Sequence, residues 1–199
     1  YALKNGGKRL RPILVFILAE AIGKKQDVAA AALAIEFFHT ASLIADDLPC
    51  MDDEKKRRNK PVVHLVFGES VALLASYTLI ARGYEMLYKN AAQLKAAGRH
   101  DGERLCFLAL GAISECAGIG GATNGQFLDL YPPDNKLETV LKIIRQKTEV
   151  LFEAAFVLGW LFGGGALDCL AEVKECAHHL GLAFQIADDL QDVEEDRGK

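Results

Sequence analysis

The chain has 199 residues, which is long enough to bury a substantial core within one domain. Its hydrophobic fraction of 51% comes without the unbroken apolar run of about 20 residues that a membrane span needs, so no membrane span is expected. The net charge of −4 argues against general nucleic-acid binding, which requires a basic face. The five cysteines are odd in number and form no CxxC pair, so we expect free thiols and a cytoplasmic location.

Both ends of the sequence look trimmed. It begins at Tyr1 without a methionine and stops at Gly198-Lys199. We therefore expect residues 1–199 to be one domain that is cut at both termini. A plastid location stays open if a transit peptide has been removed.

Apolar residues recur with helical spacing along most of the chain. This spacing predicts helices over residues 10–21, 28–47, 68–97, 101–118, 137–161 and 167–195. No stretch of alternating β-branched residues bounded by turns occurs, so no sheet is expected. The prediction is a single-domain, all-α helical bundle around a central apolar cavity.

An acidic cluster ends the second predicted helix. Asp46 and Asp47 follow an apolar stretch, and Pro49 disfavours further helix before Asp52 adds a third carboxylate. Charge beside apolar surface persists only if it is paired or bound to metal. The basic run 55–58 follows directly, and arginine forks suit phosphate oxygens. This combination indicates a Mg²⁺–diphosphate site. The alternative is a solvated surface loop of mixed charge.

A second acidic cluster lies on the last predicted helix. Gln185, Asp188, Asp189 and Asp192 are spaced i, i+3, i+4 and i+7, which places them on one stripe. Without a counter-charge, the three carboxylates repel one another, and a bound cation would turn that repulsion into ligation. The alternative is an exposed acidic helix end.

A basic segment opens the first predicted helix. The glycine pair Gly6-Gly7 precedes Lys8 and Arg11, which project on one side of a helix N-terminus and form a candidate anion site. His39 lies seven residues before Asp46 and shares its helix face. Taken alone, the basic segment is explained equally well as a helix cap with solvated bases.

Together these motifs resemble those of the trans-isoprenyl diphosphate synthases, the polyprenyl synthetase family, and in particular its geranylgeranyl and farnesyl diphosphate synthases. The matching segments are residues 6–12, 46–52, 57–58 with 60–61, 125–129, 147–148 and 185–192. The run Glu54-Lys55-Lys56 is less acidic than the family pattern, and Asn59 stands where glycine is common. A further diphosphate-binding lysine of the family falls at Lys199 or its neighbour.

The resemblance implies an isoprenoid synthase-like fold and a Mg²⁺-dependent, homodimeric enzyme that condenses isopentenyl diphosphate with an allylic diphosphate. The implied metal ligands are Asp46, Asp47, Asp52, Asp188 and Asp192. The implied isopentenyl diphosphate ligands are Lys8, Arg11, His39 and Arg58. The implied allylic diphosphate ligands are Arg57, Lys147, Thr148 and Gln185. The implied catalytic residues are Asp46, Asp47, Asp188, Lys147, Thr148 and Gln185.

Product length is expected to be set along the helix that carries the first acidic cluster. At about 1.5 Å per residue, Ser42, Ala41 and Phe38 lie roughly 6, 7.5 and 12 Å below Asp46. Ala41 and Ser42 are small, so a prenyl tail can grow past them until it meets Phe38. This favours a twenty-carbon product, geranylgeranyl diphosphate, over a fifteen-carbon one.

Two other functions compete with a chain-elongating synthase. A non-catalytic modulatory subunit of a prenyl synthase complex would be expected to have lost one aspartate cluster, and this chain keeps both. A terpene cyclase or head-to-head synthase would share the fold, but a cyclase has no second diphosphate for Lys8, Arg11 and His39 to bind. His178 and His179 are expected on a partly exposed helix face rather than in a ligand site.

Overall fold

Helices dominate the fold, which confirms the all-α prediction. The computed structural model describes residues 1–197, without the side chains of Asp192 and of residues 194–197. Its helices are α1 (Leu10–Ile22), α2 (Ala29–Asp46), α3 (Val63–Phe67), α4 (Glu69–Ala96), α5 (Gly102–Ala117), α6 (Ala122–Leu130), α7 (Leu137–Ile144), α8 (Val150–Gly163) and α9 (Leu170–Arg197). Short 3₁₀ turns occupy Ala2–Lys4 and Leu167–Cys169.

Helix α8 forms the centre of the bundle. Phe152, Leu158 and Phe162 on α8 are fully buried, and each such side chain stabilises the fold by about 1.5–3 kcal/mol. Helix α1 packs closely along α8, because a Cβ on Gly159 would lie only 2.7 Å from the carbonyl oxygen of Val15. The core therefore forms where α1, α2, α5 and α9 surround α8.

The carboxyl end of α8 is capped by basic side chains. Gly164 ends the helix with φ of 93°, in the left-handed region that glycine adopts without strain. Lys24 donates a hydrogen bond to the carbonyl oxygen of Gly164 at 2.7 Å, and Arg99 donates to that of Phe162 at 2.8 Å. Both cations lie at the negative end of the helix dipole, where positive charge is stabilising.

Two stretches are long and apolar enough to cross a membrane by length and composition. They are Ala29–Asp46, with mean hydropathy 1.3, and Gly102–Leu130, with mean hydropathy 1.6. The signal is weak, since core helices pass the same test. Helix α2 packs against α4 and has Ala31, Ala34 and Ile35 fully buried, and a turn over 118–121 divides the second stretch.

A small β-hairpin departs from the expectation of no sheet. Strand β1 (Lys56–Arg57) pairs antiparallel with β2 (Lys60–Pro61). The two loop residues, Arg58 and Asn59, have φ of 53° and 63°, as a two-residue type I′ turn requires. Asparagine tolerates this backbone conformation better than most residues other than glycine. Strands of two residues are too short to show alternation, so periodicity could not reveal them.

The helix predicted over 137–161 is also divided. Residues Arg145–Glu149 form a π-helical turn between α7 and α8. We call this segment the π-turn. Such turns are rare and occur frequently at functional sites.

Candidate functional site

A cleft of about 650 Å³ opens between the start of α1, α2, the hairpin, the π-turn and α9. Among the described residues, its basic lining side chains are Lys8, Arg9, Arg11, Lys56, Arg57, Arg58 and Lys147. Its acidic ones are Glu36, Asp46, Glu54 and Asp188. The cleft thus has a basic surplus although the chain carries a net charge of −4, so it is suited to bind anions.

A half-buried arginine–histidine pair lines the cleft. Arg11 donates from NH1 to Nε2 of His39 at 3.3 Å, and its guanidinium stands 4.6 Å from the centre of the Phe152 ring. Burial, followed by the charge of Arg58, lowers the pKa of Arg11 to about 10, so Arg11 stays cationic at neutral pH. Burial, followed by the charge of Arg11, lowers the pKa of His39 to about 2, so His39 is neutral.

The same pair presents donors that lack partners. Arginine can only donate, so Nε2 of His39 accepts and its proton is assigned to Nδ1. Within the described structure, His39 Nδ1 and Arg11 Nε are buried without a hydrogen-bond partner. Buried donors of this kind cost free energy when they are left unsatisfied.

The N-terminal loop and the hairpin are tied together at the mouth of the cleft. Arg58 donates to the carbonyl oxygen of Gly6 at 2.5 Å, and a side chain at Gly7 would collide with the Arg58 guanidinium. Arg9 forms an ion pair with buried Glu36 on α2. Lys8 places its ammonium 5.8 Å from the Phe184 ring centre. Lys8, Arg11, His39 and Arg58, the four residues with an expected role in binding isopentenyl diphosphate, all line the cleft.

Asp46 and Asp188 line the cleft from two different helices, α2 and α9. Burial is the largest influence on Asp46 and raises the pKa of its carboxyl group to about 6, against the opposing charge of Lys147. A nearby cation would stabilise the charged form of a carboxylate in such surroundings.

The position of Asp47 differs from that of Asp46, and its expected role as a metal ligand stays a prediction. Asp47 is buried and is absent from the cleft lining. Its Oδ1 instead accepts hydrogen bonds from Arg57, whose guanidinium does line the cleft. The reason is the hairpin, which folds Arg57 back onto the end of α2. Asp47 therefore acts on the cleft through Arg57.

Asp52 lies beside the cleft and contacts one of its lining residues. Its backbone N–H donates to the carbonyl oxygen of Asp46 at 2.9 Å, and its Oδ1 accepts from Gln126 at 3.2 Å. Its Oδ2 is 3.8 Å from the ammonium of Lys147, which also pairs with Asp129. The predicted ligand Asp192 has a side chain outside the described residues, and Lys199 lies outside them entirely.

The π-turn presents Lys147 and Thr148 to the cleft. Thr148 donates from its hydroxyl to Oε1 of Gln185 at 2.9 Å, and Gln185 donates to Asp189 at 2.8 Å. On its other side the turn packs directly on α6, because a side chain at Gly125 would collide with the Lys147 backbone. The structure thus brings Lys147, Thr148 and Gln185 together, and Asp189 orients Gln185.

The carboxylates fit magnesium that is shared with a ligand. Among the described residues, no group of three or more His, Cys, Asp or Glu side chains could hold a metal ion by itself. Mg²⁺ is usually held by one or two carboxylates together with water and substrate phosphates. Asp46 and Asp188 supply such carboxylates at the rim of a cleft that is built for anions.

The three residues predicted to set product length occupy two layers. Ser42 lines the cleft, whereas Ala41 and Phe38 are buried and absent from its lining. The Ala41 carbonyl oxygen accepts from Ser76 of α4 at 2.9 Å, and the Phe38 ring packs edge-on against Tyr84 at 5.1 Å. The role of these residues in product length stays a prediction.

Three polar residues of the site had no role assigned from the sequence. Glu36 holds Arg9 in an ion pair. The sequence feature that could have identified Glu36 is its position three residues before His39, on the same face of α2. Gln126 and Asp129 contact Asp52 and Lys147 from α6. They belong to the family-like segment 125–129, and their i, i+3 spacing places them on one helix face.

Comparisons with known proteins agree with this geometry. The family profile described as polyprenyl synthetase matches residues 1–199. The chain is 41% identical to geranylgeranyl pyrophosphate synthase 7, chloroplastic, of Arabidopsis thaliana, over 97% of this chain and 55% of that protein. It is 40% identical to the chloroplastic geranylgeranyl pyrophosphate synthase of Capsicum annuum, over 97% of this chain and 52% of that protein. The chain therefore spans about half the length of these curated relatives.

Solved structures show the same fold. An FPP/GFPP synthase from Zymomonas mobilis superposes with a TM-score of 0.82 at 35% identity, over 94% of this chain and 67% of the other. A geranyltransferase from Legionella pneumophila superposes with a TM-score of 0.84 at 32% identity, over 98% of this chain and 68% of the other.

Proposed function

Because the chain belongs to the polyprenyl synthetase family, we propose that it provides the cleft of a chain-elongating prenyltransferase that joins isopentenyl diphosphate to an allylic diphosphate. The observation that carries the proposal is the cleft itself, where two groups of cations line one cavity together with Asp46 and Asp188. A single anion would not need so many donors.

The two diphosphates are assigned to different parts of the cleft. Lys8, Arg11, His39 and Arg58 form the site for isopentenyl diphosphate. Arg57 and Lys147 bind the allylic diphosphate, next to Thr148 and Gln185. Two sets of contacts support this division. Arg58 of the first group bonds to Gly6 of the N-terminal loop. Arg57 and Lys147 of the second group contact Asp47 and Asp52 of the first acidic cluster.

The reaction begins with cleavage of the allylic C–O bond, whose electron pair leaves with the diphosphate. Arg57 and Lys147 stabilise the negative charge where it develops, which is catalysis by preorganised electrostatics. Mg²⁺, when bound by Asp46 and Asp188 with support from Asp52, supplies further charge stabilisation for the leaving group. The family as a whole generally uses this metal.

The allylic cation then takes an electron pair from the double bond of isopentenyl diphosphate, and a new C–C bond forms. Loss of one proton from the resulting cation completes the product, with the released diphosphate as acceptor. The Thr148 hydroxyl and the Gln185 amide stand beside the reacting centre. Leu43, Leu151 and Phe184 line the cleft and exclude water, which would quench the cation.

A homodimer is proposed through α4 and α5. Among the described residues, Leu74, Tyr77 and Tyr88 on α4 and Phe107 on α5 are large apolar side chains that are 59–76% exposed. An apolar face of this kind typically marks a protein interface. One relative at 39% identity is named the large subunit of a heterodimeric geranylgeranyl pyrophosphate synthase, so an unlike partner at this face is the alternative.

The favoured product is geranylgeranyl diphosphate. Support comes from the small residues Ala41 and Ser42 and from the names of the plant relatives. Those relatives are also named chloroplastic, which strengthens the plastid alternative to the cytoplasmic location expected from the cysteines.

Product analysis tests the proposal. The purified protein is incubated with Mg²⁺, labelled isopentenyl diphosphate and dimethylallyl, geranyl or farnesyl diphosphate, and the products are separated by chain length. A labelled twenty-carbon product is expected. Absence of product, together with a changed product from a catalytic partner added in the same assay, would identify a modulatory subunit instead.

A further inference from the structure

A buried carboxylate of the π-turn has no part in the mechanism described above. Glu149 directly follows Thr148, is 3% exposed, and contacts Nδ1 of His178 on α9. Its burial is unusual for a glutamate, since such residues are rarely buried without a partner. The contact also explains why His178 is only partly exposed on its helix face.

The π-turn touches α9 along one stripe of that helix. His178, Gly181 and Gln185 are spaced i, i+3 and i+7. His178 meets Glu149, and Gln185 accepts the hydrogen bond from Thr148. Between them, a Cβ on Gly181 would lie 3.0 Å from Cα of Glu149, so the backbones approach closely. The stripe continues to Asp188 in the cleft.

We propose that Glu149 and His178 are a positioning pair, which fixes the π-turn against α9 and so holds Lys147 and Thr148 at the allylic diphosphate. This inference rests on the proposed function for the identity of the ligand. Neither residue lines the cleft, so both act through their neighbours. A π-turn lacks the regular hydrogen-bond pattern of an α-helix, and side-chain contacts of this kind compensate for it.

The contact between Glu149 and His178 does not require both side chains to be charged. Burial raises the pKa of Glu149, and burial lowers the pKa of His178, with the charge of Arg145 next in each case. The other charged groups facing the pair are His179 on α9 and Glu153 on α8. The atoms in contact are Nδ1 of His178 and Oε2 of Glu149, and within the described structure Oε2 makes no hydrogen bond of regular geometry. A glutamine at position 149 would keep the size and polarity that this contact needs.

An ion pair between α8 and α9 supplies a control. Lys174 of α9 lies 2.9 Å from Glu153 of α8, one helical turn before His178. It also ties α9 to the bundle, but through α8 and not through the π-turn. Lys174→Ala should therefore weaken packing without moving Lys147 or Thr148.

The experiment compares Glu149→Ala, His178→Ala, Glu149→Gln and Lys174→Ala in the whole protein. Glu149→Ala and His178→Ala should lower kcat/KM for the allylic substrate about ten- to a hundredfold, because a small misplacement of reacting groups is costly. KM for isopentenyl diphosphate should change little. Glu149→Gln should restore most of the loss, and Lys174→Ala should leave the kinetics unchanged.

Amide hydrogen exchange over residues 145–149 provides a readout that does not depend on activity. Exchange should rise in Glu149→Ala and stay near the original rate in Glu149→Gln and Lys174→Ala. If Glu149→Ala changes neither exchange nor allylic kinetics, or if Glu149→Gln is as impaired as Glu149→Ala, the positioning role is wrong. If exchange responds as expected but the unsubstituted protein makes no prenyl product, only the proposed function fails.

Discussion

The Arg57 guanidinium donates from both Nε and NH2 to a single oxygen of Asp47, at 2.7 and 2.6 Å. Burial alone would lower the pKa of Arg57, but the hydrogen bond and charge of Asp47 outweigh it and raise that pKa. The second aspartate of the first cluster thus holds an arginine whose far side remains free to meet a phosphate.

Asp47→Ala should release Arg57 and disturb the allylic site. We expect KM for the allylic diphosphate to rise more than KM for isopentenyl diphosphate, and the free energy of unfolding to fall by about 1–3 kcal/mol. Steady-state kinetics and urea unfolding check both effects. Asp53→Ala is the control, since Asp53 pairs with Lys55 in the same loop but is exposed. Equal effects on the two KM values would contradict the assignment of Arg57.

Asp188→Ala should lower turnover by about 10²–10³, because it removes a carboxylate that supports the charge on the leaving group. Asp188 is exposed to the cleft, so the melting temperature should change little. The measurement is turnover as a function of Mg²⁺ concentration. Glu172→Ala, an exposed acidic residue near the start of α9, is the control. Normal turnover of Asp188→Ala at saturating Mg²⁺ would remove Asp188 from the metal site.

His39 should make stability depend on pH. In the folded protein its pKa is about 2, against an ordinary value of 6.5. Between these values the unfolded chain binds a proton that the folded protein excludes, so stability falls as pH drops below about 6.5. The limiting slope for one proton is about 1.4 kcal/mol per pH unit. Urea unfolding between about pH 5 and pH 7 should show a smaller slope in His39→Gln. Equal slopes would mean that His39 is protonated in the folded state.

Asn90→Ala should destabilise the fold without affecting catalysis. Asn90 on α4 is fully buried, accepts a hydrogen bond from the Ala31 N–H at 2.9 Å and donates to the Asp27 carbonyl oxygen at 3.2 Å. Both bonds secure the start of α2. Loss of buried partners should lower the free energy of unfolding by about 1–3 kcal/mol. Exposed Asn135→Ala is the control. A change in Asn90→Ala no larger than in the control would show that water satisfies these groups.

Ala41→Phe should shorten the product by one isoprene unit. Ala41 is 1% exposed, and a phenyl ring there would fill the space expected to receive the growing tail. Overpacking should cost about 1–3 kcal/mol, so the melting temperature is measured beside the product lengths. Ala29→Phe, at an exposed position of the same helix, serves as the size-matched control. A folded variant with an unchanged product distribution would place the tail elsewhere.

Apolar periodicity located most helices well. The predicted ranges 28–47, 68–97 and 101–118 differ by one residue at each end from α2, α4 and α5. Each of these helices has apolar residues at helical spacing and a residue that ends the helix, so the local sequence is enough to locate it. Helix α6 was not predicted, since it is short and has only Gly125 among its buried residues.

The features that periodicity missed depend on distant contacts. The π-turn consists of five polar residues between two apolar helical stretches, and what accompanies it is the close approach of Gly125 on α6 and Gly181 on α9. The orientation of Asp47 likewise depends on a hairpin that returns Arg57 to α2. Residue types and their spacing on one helix face predicted which side chains lie in or beside the cleft. They did not predict which of these side chains form hydrogen bonds and ion pairs with one another.

Lys147 neutralises part of the site before any substrate arrives. Its ammonium pairs with Asp129 and stands 3.8 Å from Asp52. An incoming diphosphate competes for that ammonium, and a lysine drawn to the diphosphate leaves the Asp52 carboxylate free for a metal ion. Diphosphate and metal should therefore bind with mutual reinforcement, each raising the affinity for the other by the same factor. The ion pairs of Lys147 thus involve the same charged groups that the diphosphate and the metal ion are expected to contact.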